Sequence, residues 1–299
     1  MTAAPSRSVV TWREVLAETA EQLGNETEAR WLVEEVSGYS WAELSAASAA
    51  GGPVSERSRS RLEAMLRRRL AGEPVQYVLG RWQFRTLDLM VDERVLIPRP
   101  ETEYVAELAL RELDNLAGTR AGQPQTVVDL GTGSGAIALS IAVERARVHV
   151  FATDASPAAL RVAAANLAGL GGRPATRVRL MPGDWWSALP ADLRGRLDLA
   201  VSNPPYIASA EMASLDPAVR DWEPGGALES GPTGLEAVRE VLLGAANGWL
   251  RTGGSAVVEI APHQASEAAR LAARAGFAEA EVHPDLAGRD RVLVARGAP

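Results

Sequence analysis

Val127-Val128-Asp129-Leu130-Gly131-Thr132-Gly133-Ser134-Gly135 runs from an apolar stretch through three glycines into the helical pattern 136–142. A short apolar run bounded by turn residues reads as a strand buried on both faces. Glycines directly after it let the backbone approach a ligand at a helix N-terminus, where the first N–H groups have no partner within the helix. The next apolar run, 148–153, ends at Asp154. An acid at the end of the second strand, about 20 residues past the loop, is placed to accept both hydroxyls of a ribose. Strand, glycine loop, helix, strand and acid together open a nucleotide-binding sheet.

Further apolar runs at 178–181, 197–201 and 255–260 alternate with Ala-rich helical patterns. That alternation predicts a parallel sheet with helices on both faces. Two last strand candidates, 280–283 and 291–295, are separated by too few residues for a crossover helix, so they must pair antiparallel. The predicted class is α/β, a Rossmann-like sheet with a reversed strand near the C-terminus.

Two cofactors satisfy the loop and the acid: a nicotinamide dinucleotide and S-adenosylmethionine (SAM). Asp129 lies inside the strand end, which suits the charged amino-acid portion of SAM. The loop also lacks the third glycine of the G-x-G-x-x-G pyrophosphate pattern, since Ala136 stands there. Gly183-Asp184-Trp185 follows the third strand, a position that flanks an adenine in sheets of this kind. Asp184 is then available to the N6 amine and Trp185 for packing, while Trp186 reads equally as core.

Ser202-Asn203-Pro204-Pro205-Tyr206-Ile207 stands at the end of run 197–201, where open α/β sheets place their ligands. Two prolines fix two φ angles and remove two N–H donors. The Asn203 oxygen, the Pro204 carbonyl and the face of Tyr206 can therefore receive a planar NH2 group, which has two donors and a π face. A plain turn is the competing reading, because Asn-Pro commonly initiates turns. A dinucleotide enzyme would leave this loop without a purpose.

The first eighty residues read as helical. Trp12, Val15, Leu16 and Leu23 share one face, as do Trp31, Leu32 and Val36 after the start signal Asn25-Glu26-Thr27. Ser40 caps a short helix through Leu44, Gly51-Gly52-Pro53 breaks the chain, and a longer helix carries Leu62, Met65, Leu66 and Leu70 toward Gly72. Arg67-Arg68-Arg69 reads as a solvated face against an acidic background. Residues 82–91 change period and suggest two short strands with a tight bend. The expected organisation is a helical domain at 1–80, a hairpin bridge and connecting helix at 81–120, and a catalytic domain at 121–299. Residues 208–234 form a Pro- and Gly-rich loop longer than ordinary connections, expected to cover a substrate with Glu223-Pro224 as its ordered part.

Composition narrows the class. A chain of 299 residues holds two domains of about 150 each, and 46% hydrophobic with 23% charged residues is ordinary for globular proteins. No apolar run approaches the roughly 20 residues of a membrane span. Residues 1–7 lack the layout of a signal peptide. With no Cys, disulfides, thiolate metal sites and a Cys nucleophile are excluded, no metal is expected, and a cytoplasmic location fits. The net charge of −7, with every basic residue an Arg, argues against nucleic acid as the main partner.

Taken together these motifs closely resemble the HemK-type protein-(glutamine-N5) methyltransferases that modify peptide chain release factors. The resemblance covers almost the whole chain. It rests on Glu28-Ala29-Arg30, residues 72–77, 96–103 and 129–139, Gly183-Asp184-Trp185, residues 202–207, Glu223-Pro224 and residues 288–292. The tetrapeptide Asn203 to Tyr206 is shared with adenine-N6 methyltransferases, which use it on a flipped base. String 96–103 and the helical N-terminus are what favour release factors. Gln83 stands where Glu is expected, and Ala261 where Gly is expected.

The resemblance implies methyl transfer from SAM to the glutamine of the Gly-Gly-Gln motif of bacterial class I release factors. It makes Asn203, Pro204 and Tyr206 catalytic and Asn203, Pro204, Pro205 and Tyr206 substrate-binding. Asp129, Gly131, Thr132, Gly133, Ser134, Gly135, Asp154, Asp184, Trp185 and Asn203 are the implied cofactor residues. The helical domain would dock the release factor. Besides a nucleic-acid adenine methyltransferase, a SAM-binding module without turnover is the remaining alternative.

Overall fold

The computed structural model describes residues 10–46, 54–118 and 122–299, so the Gly51-Gly52-Pro53 break lies outside the described residues. The chain divides into two compact units, Met1–Gly80 and Arg81–Pro299.

In the first unit α1 (Trp12–Leu23) begins at Thr11, whose hydroxyl accepts from the Glu14 N–H while the Glu14 carboxylate accepts from the Thr11 N–H. The Asn25 side-chain oxygen caps α2 (Glu26–Ser37) by accepting from the Thr27 and Glu28 N–H groups, whereas Ser40 caps α3 (Trp41–Ser45) in the reciprocal manner of Thr11, with Glu43. Caps of this kind contribute about 0.5–2 kcal/mol each. α4 (Glu56–Leu70) and α5 (Val75–Leu79) follow, and Trp12, Leu32, Val33, Leu62 and Val78 meet in one core. Leu70, read as part of the apolar face, is 55% exposed because it is the last residue of α4 and projects past the core. The arginine run is not merely solvated. Arg68 donates to Glu73 and Arg69 to Glu28, tying the end of α4 to the turn after it and to the start of α2.

The second unit opens with a hairpin of β1 (Arg81–Phe84) and β2 (Leu87–Met90). Its bend places Arg85 at φ 52, uncommon for a residue with a Cβ, and Glu103, Glu107 and Glu144 accept from Arg85 there. Phe84, Leu87 and Leu89 share a buried cluster with Val105, Leu108 and Leu113 of α6 (Pro100–Ala117). Residues 81–120, read from the sequence as a bridge, therefore pack into this unit as far as they are described.

The remaining elements are β3 (Gln125–Leu130), α7 (Ala136–Glu144), β4 (Val148–Asp154), α8 (Pro157–Leu170), α9 (Gly172–Ala175), β5 (Val178–Pro182), β6 (Leu197–Ser202), α10 (Pro217–Arg220), α11 (Glu236–Gly244), β7 (Leu250–Glu259), α12 (Ala265–Ala275), β8 (Glu279–Pro284) and β9 (Asp290–Arg296). They build one sheet in the order β5-β4-β3-β6-β7-β9-β8. The first five in that order are parallel, and β9 runs antiparallel to both β7 and β8. The reversed strand is last in sequence yet sits one place inside the edge. β7 begins earlier than the apolar run 255–260 suggests: Leu197 pairs with Leu250 and Leu199 with Ser255, so polar residues 251–254 form an irregularity in the ladder.

Strand period two sends neighbours to opposite layers. Val127, Leu199, Val257 and Val294 enter one cluster with α6 and α7, and Val128, Ala200, Val258 and Leu293 enter the other with α11 and α12. Each Val or Leu among them contributes about 1.5–3 kcal/mol when fully buried. β3 leads to β4 on one side while β6 lies on its other side. The loops after β3 and β6 thus leave the sheet together where the strand order reverses, the place such sheets bind ligands. Among the described residues no helix is long and apolar enough to cross a membrane.

Gly244 closes α11 against Trp186, which is 4% exposed, stacks on Trp249 at 5.9 Å and donates its indole N–H to the Glu240 carbonyl. A Cβ at Gly244 would collide with that indole ring. Gly244→Ala is expected to destabilise the unit by about 1–3 kcal/mol through overpacking. Urea unfolding followed by Trp emission checks this, and an unchanged midpoint contradicts it.

Candidate active site

The loop after β3 turns through Gly131, Gly133 and Gly135 at φ 73, 57 and 87. Only glycine adopts the left-handed region three times in five residues without strain. Asp129, 1% exposed, lies beneath the loop. Its Oδ2 accepts from the Thr132 hydroxyl at 2.6 Å and from the Ala138 N–H at 3.1 Å, while its Oδ1 is buried with no hydrogen-bond partner. Asp154 holds the other side: Oδ2 accepts from the Gly133 N–H and Oδ1 from the Ser156 N–H, both at 2.8 Å. Asn166 of α8 donates to the Ser134 carbonyl. The loop is anchored from three sides before any ligand arrives.

Burial pushes the Asp129 carboxyl up to about 7, against the hydrogen bonds from Thr132 and Ala138 and helped by the charge of Asp154. Burial also raises Asp154. An aspartate in an unfolded chain titrates near about 4, so between these values the folded protein holds the extra proton and stability falls as pH rises. Asp129→Asn removes that dependence. Its melting temperature relative to wild type is expected to rise from about pH 5 to about pH 8, and a difference independent of pH contradicts this.

Asn203 follows β6, and Ser202 ties the two loops together by donating to the Leu130 carbonyl at 2.7 Å. Asn203 Nδ2 donates to the Thr102 hydroxyl at 3.1 Å, and that hydroxyl donates to Glu259 Oε2 at 2.7 Å. The Tyr206 hydroxyl lies 3.5 Å from Glu259 Oε1. Burial raises both partners, Glu259 to about 7. Local sequence reading missed Thr102 and Glu259. Their signals were present, a Thr inside string 96–103 and an acid at the end of an apolar strand, as with Asp129.

A cavity of about 1000 Å³ lies between the two loops. Gly131, Thr132, Gly133, Ser134, Asp154, Asp184, Trp185, Asn203 and Pro205 all line it, as does Thr102. Asp129, Gly135, Pro204 and Tyr206 do not. Asp129 and Gly135 shape the loop from below, with Gly135 as the N-cap of α7. Tyr206 turns its hydroxyl toward Glu259 instead of offering its ring to the cavity. Trp186 belongs to the core, so the two adjacent tryptophans divide between wall and core.

Residues 208–234 line the cavity through Pro224, Gly226, Ala227, Glu229, Ser230 and Gly231. Glu223, 5% exposed, accepts from the Ile97 N–H at 3.1 Å and from the Arg99 guanidinium. This joins string 96–103 to the long loop. Glu223→Ala is expected to cost about 1.5–3 kcal/mol, the range for hydrogen bonds to a charged group. Denaturant unfolding checks it, with faster proteolysis within 208–234 as a second readout; wild-type values for both contradict it.

The sheet order, with a cavity at the point where it reverses, is that of the class I methyltransferase fold, and the comparisons with known proteins agree. The family model described as "Methyltransferase small domain" matches residues 105–228, and that described as "PrmC N-terminal domain" matches residues 12–80. The release factor glutamine methyltransferase of Cereibacter sphaeroides is 45% identical over 82% of this chain and 82% of its own. That of Gloeobacter violaceus is 40% identical over 95% of each. The solved hMettl16 catalytic domain superposes with a TM-score of 0.54 at 12% identity, covering 81% of this chain and 82% of its own, a likeness of fold. The chain belongs to the release factor glutamine methyltransferases.

Proposed function

We propose that the protein transfers a methyl group from SAM to the side-chain amide nitrogen, N5, of the glutamine in the Gly-Gly-Gln motif of class I release factors. The observation that carries this reading is the disposition of Asn203. Its Nδ2 is engaged by Thr102, so Oδ1 is the acceptor it has left for a substrate N–H.

The residues present fit SAM. Each Asp154 oxygen accepts one backbone N–H and keeps a second lone pair, enough for both hydroxyls of a ribose. The orphaned, buried Oδ1 of Asp129 suits a cationic group near the loop. Loop 131–135, Asp154, Asp184 and Trp185 would hold the cofactor. When bound, SAM supplies a methyl group already activated by its sulfonium.

The chain's own task is positioning. An amide nitrogen is a poor nucleophile because its lone pair is delocalised into the carbonyl. Asn203 Oδ1, which faces the cavity, accepts one of its N–H groups and aligns the nitrogen, and such alignment contributes up to about 7–11 kcal/mol in favourable cases. The same acceptor stabilises positive charge as it develops on nitrogen. The proton then leaves to water. Loop 208–234 covers the substrate, and residues 1–80 supply a docking surface for the folded release factor. The lack of Cys agrees with action in the cytoplasm.

Offering SAM with a release factor, a ribosomal protein or DNA in separate reactions tests the reading. Methyl incorporation into the release factor alone is expected. Incorporation into DNA, or none into the release factor, contradicts it.

A further inference from the structure

Glu259 ends β7 at the cavity edge of the sheet and is 1% exposed. A carboxylate this far from water is retained only where hydrogen bonds compensate it. The groups facing it are Thr102 and Glu101 of α6, Tyr206 of the loop after β6, and Arg291 of β9. Burial raises its carboxyl most strongly; the Thr102 hydrogen bond and then Arg291 oppose this, and Glu101 adds to it.

Thr102 has one hydroxyl proton, whereas an ionised carboxylate only accepts. With Glu259 ionised, that proton must go to Oε2, so Thr102 can only accept from Asn203. Asn203 is then compelled to turn Nδ2 toward Thr102. If the group at 259 could donate instead, Thr102 could send its proton to the Asn203 oxygen, and the amide would turn over. Nδ2 would then face the substrate N–H groups, donor against donor. We propose that Glu259 is a positioning residue whose carboxylate sets the direction of the Glu259–Thr102–Asn203 hydrogen bonds and so fixes which end of Asn203 meets the substrate. This rests on the reading of the site given above.

The full-length protein, isotope-labelled, gives a readout independent of turnover. The Asn203 side-chain NH2 signals are assigned by their loss in Asn203→Ala. In wild type they are expected to shift with pH near neutrality, and in Glu259→Gln that shift disappears. With SAM and a release factor, Glu259→Gln is expected to lower kcat by about 10–100-fold, the range for supporting partners of functional groups, with KM and SAM affinity little changed. The fall of kcat on the acid side of neutrality should vanish with it. Thr102→Val, which cuts the chain and leaves the carboxylate, should match that loss, Thr102→Ser should recover activity relative to Thr102→Val, and the double variant should be no worse than Thr102→Val.

An NH2 titration or pH profile unchanged in Glu259→Gln overturns the proposal, as do additive losses in the double variant. Should Glu259→Gln fail to fold, the Thr102→Val and Thr102→Ser pair decides: equal kcat for the two overturns the proposal. If Asn203→Ala turns over like wild type, the reading of the site fails, while the NH2 titration still decides the direction of the chain.

Discussion

Asn203→Ala is expected to lower kcat by about 10²–10³-fold, by analogy with the loss of one positioned transition-state hydrogen bond. SAM affinity should change much less, because the lost interaction matters most as charge builds on the substrate nitrogen. Pro204 and Pro205 continue to hold the backbone, so the variant removes an acceptor and leaves the loop. Asn203→Asp is the sharper substitution. Its second oxygen would face Thr102, whose proton is already donated to Glu259. That oxygen would meet the Thr102 oxygen with no proton between them, and it would bring a second negative charge close to the buried Glu259. Activity no better than that of Asn203→Ala is therefore expected, although an acceptor is kept toward the cavity. Methyl-transfer kinetics with a release factor checks both, and near wild-type turnover for Asn203→Ala contradicts the mechanism.

Asp154→Ala is expected to weaken SAM binding by at least about a hundredfold. Two hydrogen bonds from a ribose to a carboxylate are lost, each contributing about 1.5–3 kcal/mol. The same substitution releases the Gly133 and Ser156 N–H groups, so the loop loses an anchor together with the ligand contact. Titration calorimetry measures the change. Affinity within a few-fold of wild type contradicts the assigned ribose site, and tight NADH binding with none for SAM contradicts the cofactor itself.

Much of this was legible because it is local. Apolar runs leading to Asp154 and Asn203 mark strands β4 and β6 and the loops that follow, and Asn25 and Ser40 lie directly before the helices they cap. What spacing does not contain is lateral order. Residues 280–283 and 291–295 must pair antiparallel, yet nothing in them says that β9 inserts beside β7. Hydrogen bonds across long separations are equally hidden. Thr102 and Glu259 stand 157 residues apart, and Glu223 reaches Ile97 across 126.

Tyr206 shows the limit of a rigid-loop argument. Two prolines before it fix the loop, but a buried carboxylate on a distant strand draws its hydroxyl. The two departures from the family pattern are explained by their surroundings. Gln83 is exposed on the hairpin, and Ala261 adopts φ −74 and ψ 148, ordinary extended backbone that needs no glycine.

Fragmentation mass spectrometry of a release factor incubated with SAM and the wild-type protein, beside the same reaction with Asn203→Ala, tests the central claim most directly. The account predicts one methyl group on the side-chain nitrogen of the Gly-Gly-Gln glutamine, formed by wild type and nearly absent with the variant. A methyl group on any other residue, or equal labelling by the two proteins, would contradict it.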